Sequence, residues 1–172
     1  WVDQPNILEV LKDPKKLLPE VKTYIEENNA LVDSYFKDTV NLQKKLFHEI
    51  KSKIKLDDTS LKFKDKNYYY WSKTESKGNY GKRIRQLIDG SKPEEIYFDG
   101  DLEKQKYGSE YFGLGATSVS HSDELLAYSL DLQGSEYYTI YLRNLKNKEN
   151  EKDLIENTSG SVTWSLDSKS FF

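Results

Sequence analysis

The stretch SVSHSDELLAYSLDLQGSEYYTIYLRNL, Ser118–Leu145, decides the fold. It holds two runs in which apolar side chains alternate with polar ones, separated by Gly134. Period-two alternation broken by glycine predicts two strands joined by a hairpin, with Gly134 at positive φ in the turn. The hairpin belongs either to an ordinary small sheet or to one unit of a repeat. Self-similarity decides between them. SHSDELLAYS (Ser120–Ser129) lies over SLDSKSFF (Ser165–Phe172) at an offset of 45, Ser over Ser and Leu126 over Phe171. FKDKNYYYWS (Phe63–Ser72) fits the same frame one unit earlier at an offset of 57, with Tyr69 over Leu126 and Ser72 over Ser129. The excess of 12 falls in YFDGDLEKQKYGSEYFGLGA, read as an insertion between units. Each copy is a polar turn leading into an apolar strand. A unit of roughly 40–50 residues carrying four strands is the signature of a propeller blade.

Working outward, strand-like segments fill the chain from Leu61. LKFKDKNYYYWSKTE and KRIRQLI flank the turn SKGNYGK, and EIYFDGD follows the turn DGSKPE. The frame predicts blade one over about 61–105, blade two over about 112–157 and the start of blade three over 161–172. Closure of a propeller needs roughly four to eight blades, so most are expected to lie elsewhere. Before the blades, residues 1–56 read as helix. Asp3 or Gln4 offers a cap with Pro5 in the first turn, and Asp13-Pro14 ends the segment. Pro19 starts a longer helix whose apolar positions Val21, Tyr24, Ile25, Leu31, Val32, Tyr35 and Phe36 form one stripe. Asp38 or Thr39 caps a third, with Leu42, Leu46, Ile50 and Ile54 four apart. The fold class is therefore mixed: a helical N-terminal arm (1–56), then antiparallel β blades of an incomplete propeller (57–172).

Composition narrows the function. The 172 residues carry a net charge of −3 with both signs mixed, which excludes a broad basic face for nucleic acid. With no cysteine, neither a disulfide scaffold nor a thiolate metal site is available, and a cytoplasmic location is expected. No apolar run is long enough to cross a bilayer. Thirteen tyrosines favour sheet. The chain opens at Trp1 without methionine and stops within an apolar run at Phe172, so both ends read as cuts.

The segments resemble, in order, the N-terminal region of the prolyl oligopeptidase family of serine peptidases, and most closely its oligopeptidase B (protease II) branch. WVDQPNILEVLKDPKKLLPEVKTYIEENNALVD resembles the family's Trp-containing opening and its helix ending in EN. LQKKLFHEIKSKIKLDDTSL resembles the segment that enters the propeller, and YYYWSKTESKGNYGKRIR the first hairpin. EEIYFDGDLEKQKYGSEYFGLGATSVSHSDELLAYSLDLQGSEYYTIYLRNL resembles the stretch that follows. His121-Ser122 departs from the Pro-Asp often found there. The resemblance implies a two-domain peptidase in which a helical arm embraces an α/β-hydrolase domain and a seven-bladed propeller caps the active site, admitting short peptides. It places the Ser, Asp and His of the triad in a C-terminal domain that this chain lacks. In the oligopeptidase B branch cleavage follows Lys or Arg; the acidic residues responsible belong to the missing part, which leaves prolyl specificity open.

The residues themselves agree that no catalytic group is present. A nucleophile elbow, G-x-S-x-G, needs two glycines four apart, and none of the nine are. His48 sits beside Phe47 on a helix, and His121 occupies a polar turn. The helix and the turn account for the two, and neither has a neighbouring acidic cluster, so no catalytic, cofactor or metal site is expected. Asp99-Gly100-Asp101 lacks the further ligands of a calcium loop and reads as a turn. Gly113–Ser118 has two glycines but Ser118 where a dinucleotide loop needs a third. Gly81–Arg85 reads as a strand with one wet face. Asn157-Thr158-Ser159 is a formal sequon, set aside because zero cysteine argues against secretion. The expected partners are peptide substrates of the longer enzyme and its own hydrolase domain. A stand-alone propeller-type binding module is the alternative, and a helical adaptor a third. The exposed stripe and an open last blade predict self-association of the chain.

Overall fold

The computed structural model describes residues 6–172, so the expected cap at Asp3 or Gln4 and the Pro5 turn lie outside the described residues. The chain divides into two compact units, Trp1–Leu56 and Asp57–Phe172. In the first, helix α1 (Ile7–Lys12) ends where Asp13 turns extended, at φ −144°, because the ring of Pro14 disfavours helical geometry in the residue before it. The Asp13 carboxylate then accepts the Lys15 amide and starts a 3-10 turn at Pro14–Lys16. Pro19 opens α2 (Pro19–Phe36), in the first turn where a missing N–H costs nothing. A 3-10 turn at Lys37–Thr39 leads directly into α3 (Val40–Ser52).

Thr39 stands at the expected cap position, yet its hydroxyl does not cap α3. It donates to the Phe36 carbonyl at 2.7 Å and accepts from Gln43 Nε2 at 2.8 Å. The backbone stays helical through the junction, so no extended cap residue forms. Neither α2 nor α3 buries any residue: Ile25, Val32, Leu46 and Ile50 remain 43–62% exposed.

The second unit contains two antiparallel sheets. In the first, β1 (Asp58–Thr59) and β2 (Phe63–Asp65) pair in turn along β3 (Tyr68–Thr74), forming one interrupted strand. β4 (Lys82–Leu87) and β5 (Glu95–Asp99) follow. In the second, β6 (Gly113–Val119), β7 (Leu125–Asp131), β8 (Tyr138–Asn144) and β9 (Asn150–Thr158) pair in chain order. The Ser118–Leu145 hairpin is the middle of this four-stranded sheet. The sheets do not close on one another, in keeping with an incomplete propeller.

The internal repeat holds at the level of single hydrogen bonds. The pair Val119↔Leu126 recurs 45 residues on as the bridge Trp164↔Phe171. The amide of Ser120 bonds the Leu125 carbonyl at 2.9 Å, and that of Ser165 bonds Ser170 at 2.9 Å. Asp123 and Ser168 sit at matching turn positions with φ of 63° and 59°, and Lys66 occupies the frame's first copy at 48°.

β7 is buried on both faces. Leu126, Tyr128 and Leu130 point into one core with Phe98, Phe112 and Leu145, while Ala127 points into a second with Ile140 and Trp164. Its far end is organised by Asp131, which is 2% exposed. The carboxylate accepts the amides of Gln133, Gly134 and Glu136 at 2.8–2.9 Å, folding the β7–β8 turn around one charge. Gly134 adopts φ +79°; a Cβ there would meet the Tyr111 ring at an ordinary 3.5 Å, so the constraint is backbone conformation and not space.

Replacing Gly134 by Val is expected to lower stability by about 1 kcal/mol or more, since a β-branched residue is strained at positive φ. Asp131→Ala, which removes the one acceptor that organises three turn amides, is expected to cost about 1–2 kcal/mol. Chemical denaturation of the two variants beside the parent measures both, and an unchanged midpoint for Gly134→Val would remove the conformational argument.

Candidate functional site at the junction of the two sheets

The polar chemistry of the second unit is concentrated where the first sheet meets the second. Two buried clusters join them. In the first, Asp123, in the turn before β7, reaches back to β3. Its carboxylate accepts Tyr70 Oη–H at 3.3 Å and Asn67 Nδ2–H at 3.2 Å. Arg85, on β4 and 4% exposed, donates Nη1–H to the Asp123 carbonyl at 2.8 Å and Nε–H to Glu95 at 2.8 Å. Its guanidinium lies 4.4 Å from the Tyr68 ring centre. Burial, then the charge on Asp123, pushes the Tyr70 hydroxyl far above its usual range. The wet face expected for Gly81–Arg85 is thus corrected: Arg85 is buried, because the neighbouring strand β5 supplies it with an acid, Glu95, and the turn before β7 with a carbonyl.

The second cluster is built by α4 (Gly100–Tyr107). Asp99-Gly100-Asp101, expected as a turn, is the start of this helix. Asp99 is its N-cap, with Oδ1 accepting the amides of Asp101 and Leu102. The α4 dipole favours such a charge there. The insertion between blades is therefore a helix, ended at Gly108 in the left-handed region. Asp101 accepts the amides of Asn79 and Tyr80 in the β3–β4 turn, tying α4 to the first sheet. Two residues on, Glu103 pairs with Arg143 of β8 at 2.7 Å, both side chains 9% exposed. Tyr107 Oη lies 3.2 Å from Tyr128 Oη, which also accepts from Arg143 Nη2 at 3.0 Å and Asn150 Nδ2 at 2.8 Å. Tyr128 and Tyr141 stack at 5.3 Å. Burial raises the hydroxyl pKa of Tyr107, Tyr128 and Tyr141 alike. A groove of about 300 Å³ runs along β5 between Leu102, Glu103 and Arg143. It continues into one of about 800 Å³ lined by Tyr68, Arg85, Glu95 and Lys146.

These groups hold sheets together; they do not form a reacting pair. His48 lies exposed on α3 with its ring edge against Phe47, and His121 is exposed in the β6–β7 turn. Gly113–Ser118 is strand β6. Asn157 ends β9 at φ 59°, with the hydroxyl of Thr158 spent on the Tyr138 carbonyl. Among the described residues no group of three or more His, Cys, Asp and Glu is arranged to hold a metal ion, and no helix is long and apolar enough to cross a membrane. The sequence pattern did not single out Asp123, Arg85, Glu103 or Arg143. The repeat frame did place Asp123 over Ser168, and Ser168 Oγ accepts the Ser122 amide at 2.8 Å. In both copies the left-handed turn residue reaches back to the preceding unit.

Antiparallel units, each reaching back to the one before, define a propeller segment. A model of the prolyl oligopeptidase N-terminal β-propeller domain matches residues 9–172, and the chain belongs to that family. It is 26% identical over 175 residues to dipeptidyl aminopeptidase BI of Pseudoxanthomonas mexicana, covering 94% of this chain and 24% of the relative. It is 28% identical over 156 residues to the peptidase y4sO of Sinorhizobium fredii, covering 90% and 21%. The fold is that of oligopeptidase B from Leishmania major (TM-score 0.78, 21% identity, 91% of this chain and 22% of that one). It is equally that of the Trypanosoma brucei enzyme (0.78, 24%, 94% and 22%). The chain spans about a quarter of the length of these relatives.

Two outcomes follow from the clusters. Glu103→Ala leaves Arg143 buried without its acid and is expected to cost about 3 kcal/mol in a denaturant melt. The buried tyrosines have folded-state pKa values above the unfolded value near 10. Their contribution to stability is therefore complete below about pH 10 and lost as pH rises through the folded values. Absorbance titration should show a class of tyrosines that ionises only together with unfolding; a single smooth titration of all thirteen at ordinary values would contradict the burial.

Proposed function

We propose that this chain is the non-catalytic N-terminal portion of an oligopeptidase B-like serine endopeptidase that hydrolyses short peptides after Lys or Arg. The propeller would restrict which peptides reach the active site, and the Ser, Asp and His of the triad would belong to an α/β-hydrolase domain beyond Phe172. The observation that carries this reading is the double clamp between the first two sheets. A filter works by size only if neighbouring blades cannot part, and the Asp123 and Glu103–Arg143 clusters fix them from two sides. The Lys/Arg branch is proposed from the ordered sequence resemblance; post-proline cleavage is the second reading, since prolyl endopeptidases share the fold at a TM-score of 0.73. A cytoplasmic site of action is proposed with it, supported by the absence of cysteine.

The chain alone is expected to show no turnover of short Lys- or Arg-containing substrates. Turnover abolished by a serine-directed inhibitor, in a preparation free of contaminants, would overturn the reading. In a polypeptide extended by its hydrolase domain, Asp123→Ala is expected to raise cleavage of long peptides relative to short ones several-fold. An unchanged ratio would remove the filter from the proposal.

A further inference from the structure

Glycine follows aspartate twice in this chain, at Asp89-Gly90 and at Asp99-Gly100. The peptide nitrogen after an aspartate can attack the side-chain carboxyl carbon, and glycine brings no Cβ to crowd the approach or restrict the backbone. The two pairs share one local contact. Asp89 Oδ1 accepts the Ser91 amide at 2.9 Å, and Asp99 Oδ1 the Asp101 amide at 3.1 Å. A bond from a side chain to the amide two residues on folds the carboxyl back over the intervening glycine nitrogen. Their surroundings differ. Asp89, Gly90 and Ser91 are exposed in the β4–β5 turn, and a Cβ placed on Gly90 would meet nothing within 4 Å. Gly100 is buried, and a Cβ there would meet Tyr80 Cβ at 2.5 Å and the Gly81 carbonyl at 3.1 Å. Asp99 also caps α4 through the Leu102 amide and pairs with Lys82 across β4 and β5.

We propose that Asp89-Gly90 is a site of spontaneous isoaspartate formation, and that the fold shields Asp99-Gly100 from the same reaction. The Gly90 nitrogen bonds to Asp89 Cγ, and the bond from Cγ to the hydroxyl of the neutral acid breaks. Water leaves, taking the amide proton with it. The succinimide so formed then takes water back. Opening at Cγ regenerates aspartate. Opening at the main-chain carbonyl of Asp89 leaves the peptide link on the side-chain carbon and frees the α-carboxylate. No oxidant or co-reactant is consumed, and the mass is unchanged. Ring closure rotates the peptide plane between the two residues. At Gly90 this breaks one bond, from its amide to the Leu87 carbonyl at 3.0 Å, in an exposed turn where water replaces it. At Gly100 the same rotation must displace Tyr80 and Gly81 and unseat the start of α4. The product lengthens the main chain by one carbon at residue 89. Ile88, the residue before, donates its amide to the Asn67 carbonyl at 3.0 Å, and the Asn67 side chain donates to Asp123. Isoaspartate therefore loosens the turn that steadies the Asp123 cluster.

The reaction is intramolecular, so it needs no partner and does not rest on the peptidase reading. The test is to age this chain for several weeks at neutral pH and physiological temperature, folded and in urea. Cleavage after glutamate then separates the two pairs, onto Ser76–Glu94 and Ile96–Glu103. Chromatography resolves isomeric peptides of unchanged mass. Isoaspartate is assigned by esterifying its free α-carboxylate with an isoaspartyl-directed carboxyl methyltransferase and a labelled methyl donor. In the folded chain the isomer of Ser76–Glu94 is expected to accumulate several-fold faster than that of Ile96–Glu103. In urea the two rates should converge, because only packing distinguishes the pairs. Asp89→Ser keeps a side-chain oxygen for the turn but has no carboxyl, and should abolish the isomer of Ser76–Glu94. Ageing should also produce an earlier-melting fraction in the parent and none in Asp89→Ser. Equal rates at the two pairs in the folded chain would overturn the proposal. So would a Ser76–Glu94 peptide that stays single in the folded chain while the urea sample isomerises. A melt unchanged by ageing would overturn the link to the Asp123 cluster.

Discussion

Burial of β7 on both faces is the constraint on which the second unit depends. A strand with one wet face can sit in an isolated sheet; this one cannot. Leu126, Tyr128 and Leu130 need a partner on one side, and they find it in Phe98 of the preceding sheet and in Phe112. Ala127 and Ser129 are small, which lets the chain beyond β9 approach closely on the other side. Ser129 Oγ donates to the Gly160 carbonyl at 2.7 Å, and Trp164 covers Ala127. The alternation of large and small side chains along one strand therefore sets the spacing of three successive units.

Stacked sheets held by apolar contact alone can slide, because dispersion is non-directional. The polar clusters supply direction. The Asp123 carboxylate is committed to Tyr70 and Asn67 at set distances, and Arg85 answers with a donor to the Asp123 carbonyl. Across the junction, α4 grips the first sheet through Asp101 and the second through Glu103 and Tyr107. These buried charges have polar partners to replace the water they lost, as burial requires: a phenol and an amide for Asp123, an acid and a carbonyl for Arg85, and Arg143 for one oxygen of Glu103, whose other oxygen has no hydrogen bond. Removing one partner is consequently expensive, while the pair as a whole serves registry more than net stability.

The arm follows a different logic. Its helices carry helix-forming sequence and sound termini at Pro19 and Asp13; α1 buries Val10, but α2 and α3 bury no residue. Propensity and side-chain pairs such as Lys22–Glu26 and Lys53–Glu49 support the rod locally, each contributing a few tenths of a kcal/mol. Most helix stability in proteins comes from a packed face. Within the arm, the apolar positions of α2 and α3 are left largely uncovered, so these two helices draw little of their stability from the rest of their own unit.

Local patterns in the sequence determined what local physics controls. Period-two alternation marked β7 and β8, because side chains on a pleated strand point alternately to its two faces. Proline positions marked the end of α1 and the start of α2, because the ring forbids particular backbone angles. Self-similarity at offsets of 45 and 57 exposed the repeat, because equivalent turns need the same hydrogen bonds. Other features were decided only by the tertiary structure. Asp99-Gly100-Asp101 became a helix start because Asp101 could bond the Asn79 and Tyr80 amides of a turn 22 and 21 residues earlier. Arg85, which reads as a wet strand residue, was buried because Asp123 and Glu95 converge on it from other segments. Glu103 and Arg143, 40 residues apart and unremarked in sequence, became an ion pair because α4 folds over the second sheet. No periodicity encodes such meetings: alternation says which way a side chain points, and only the packing of one sheet on the next says what it meets there.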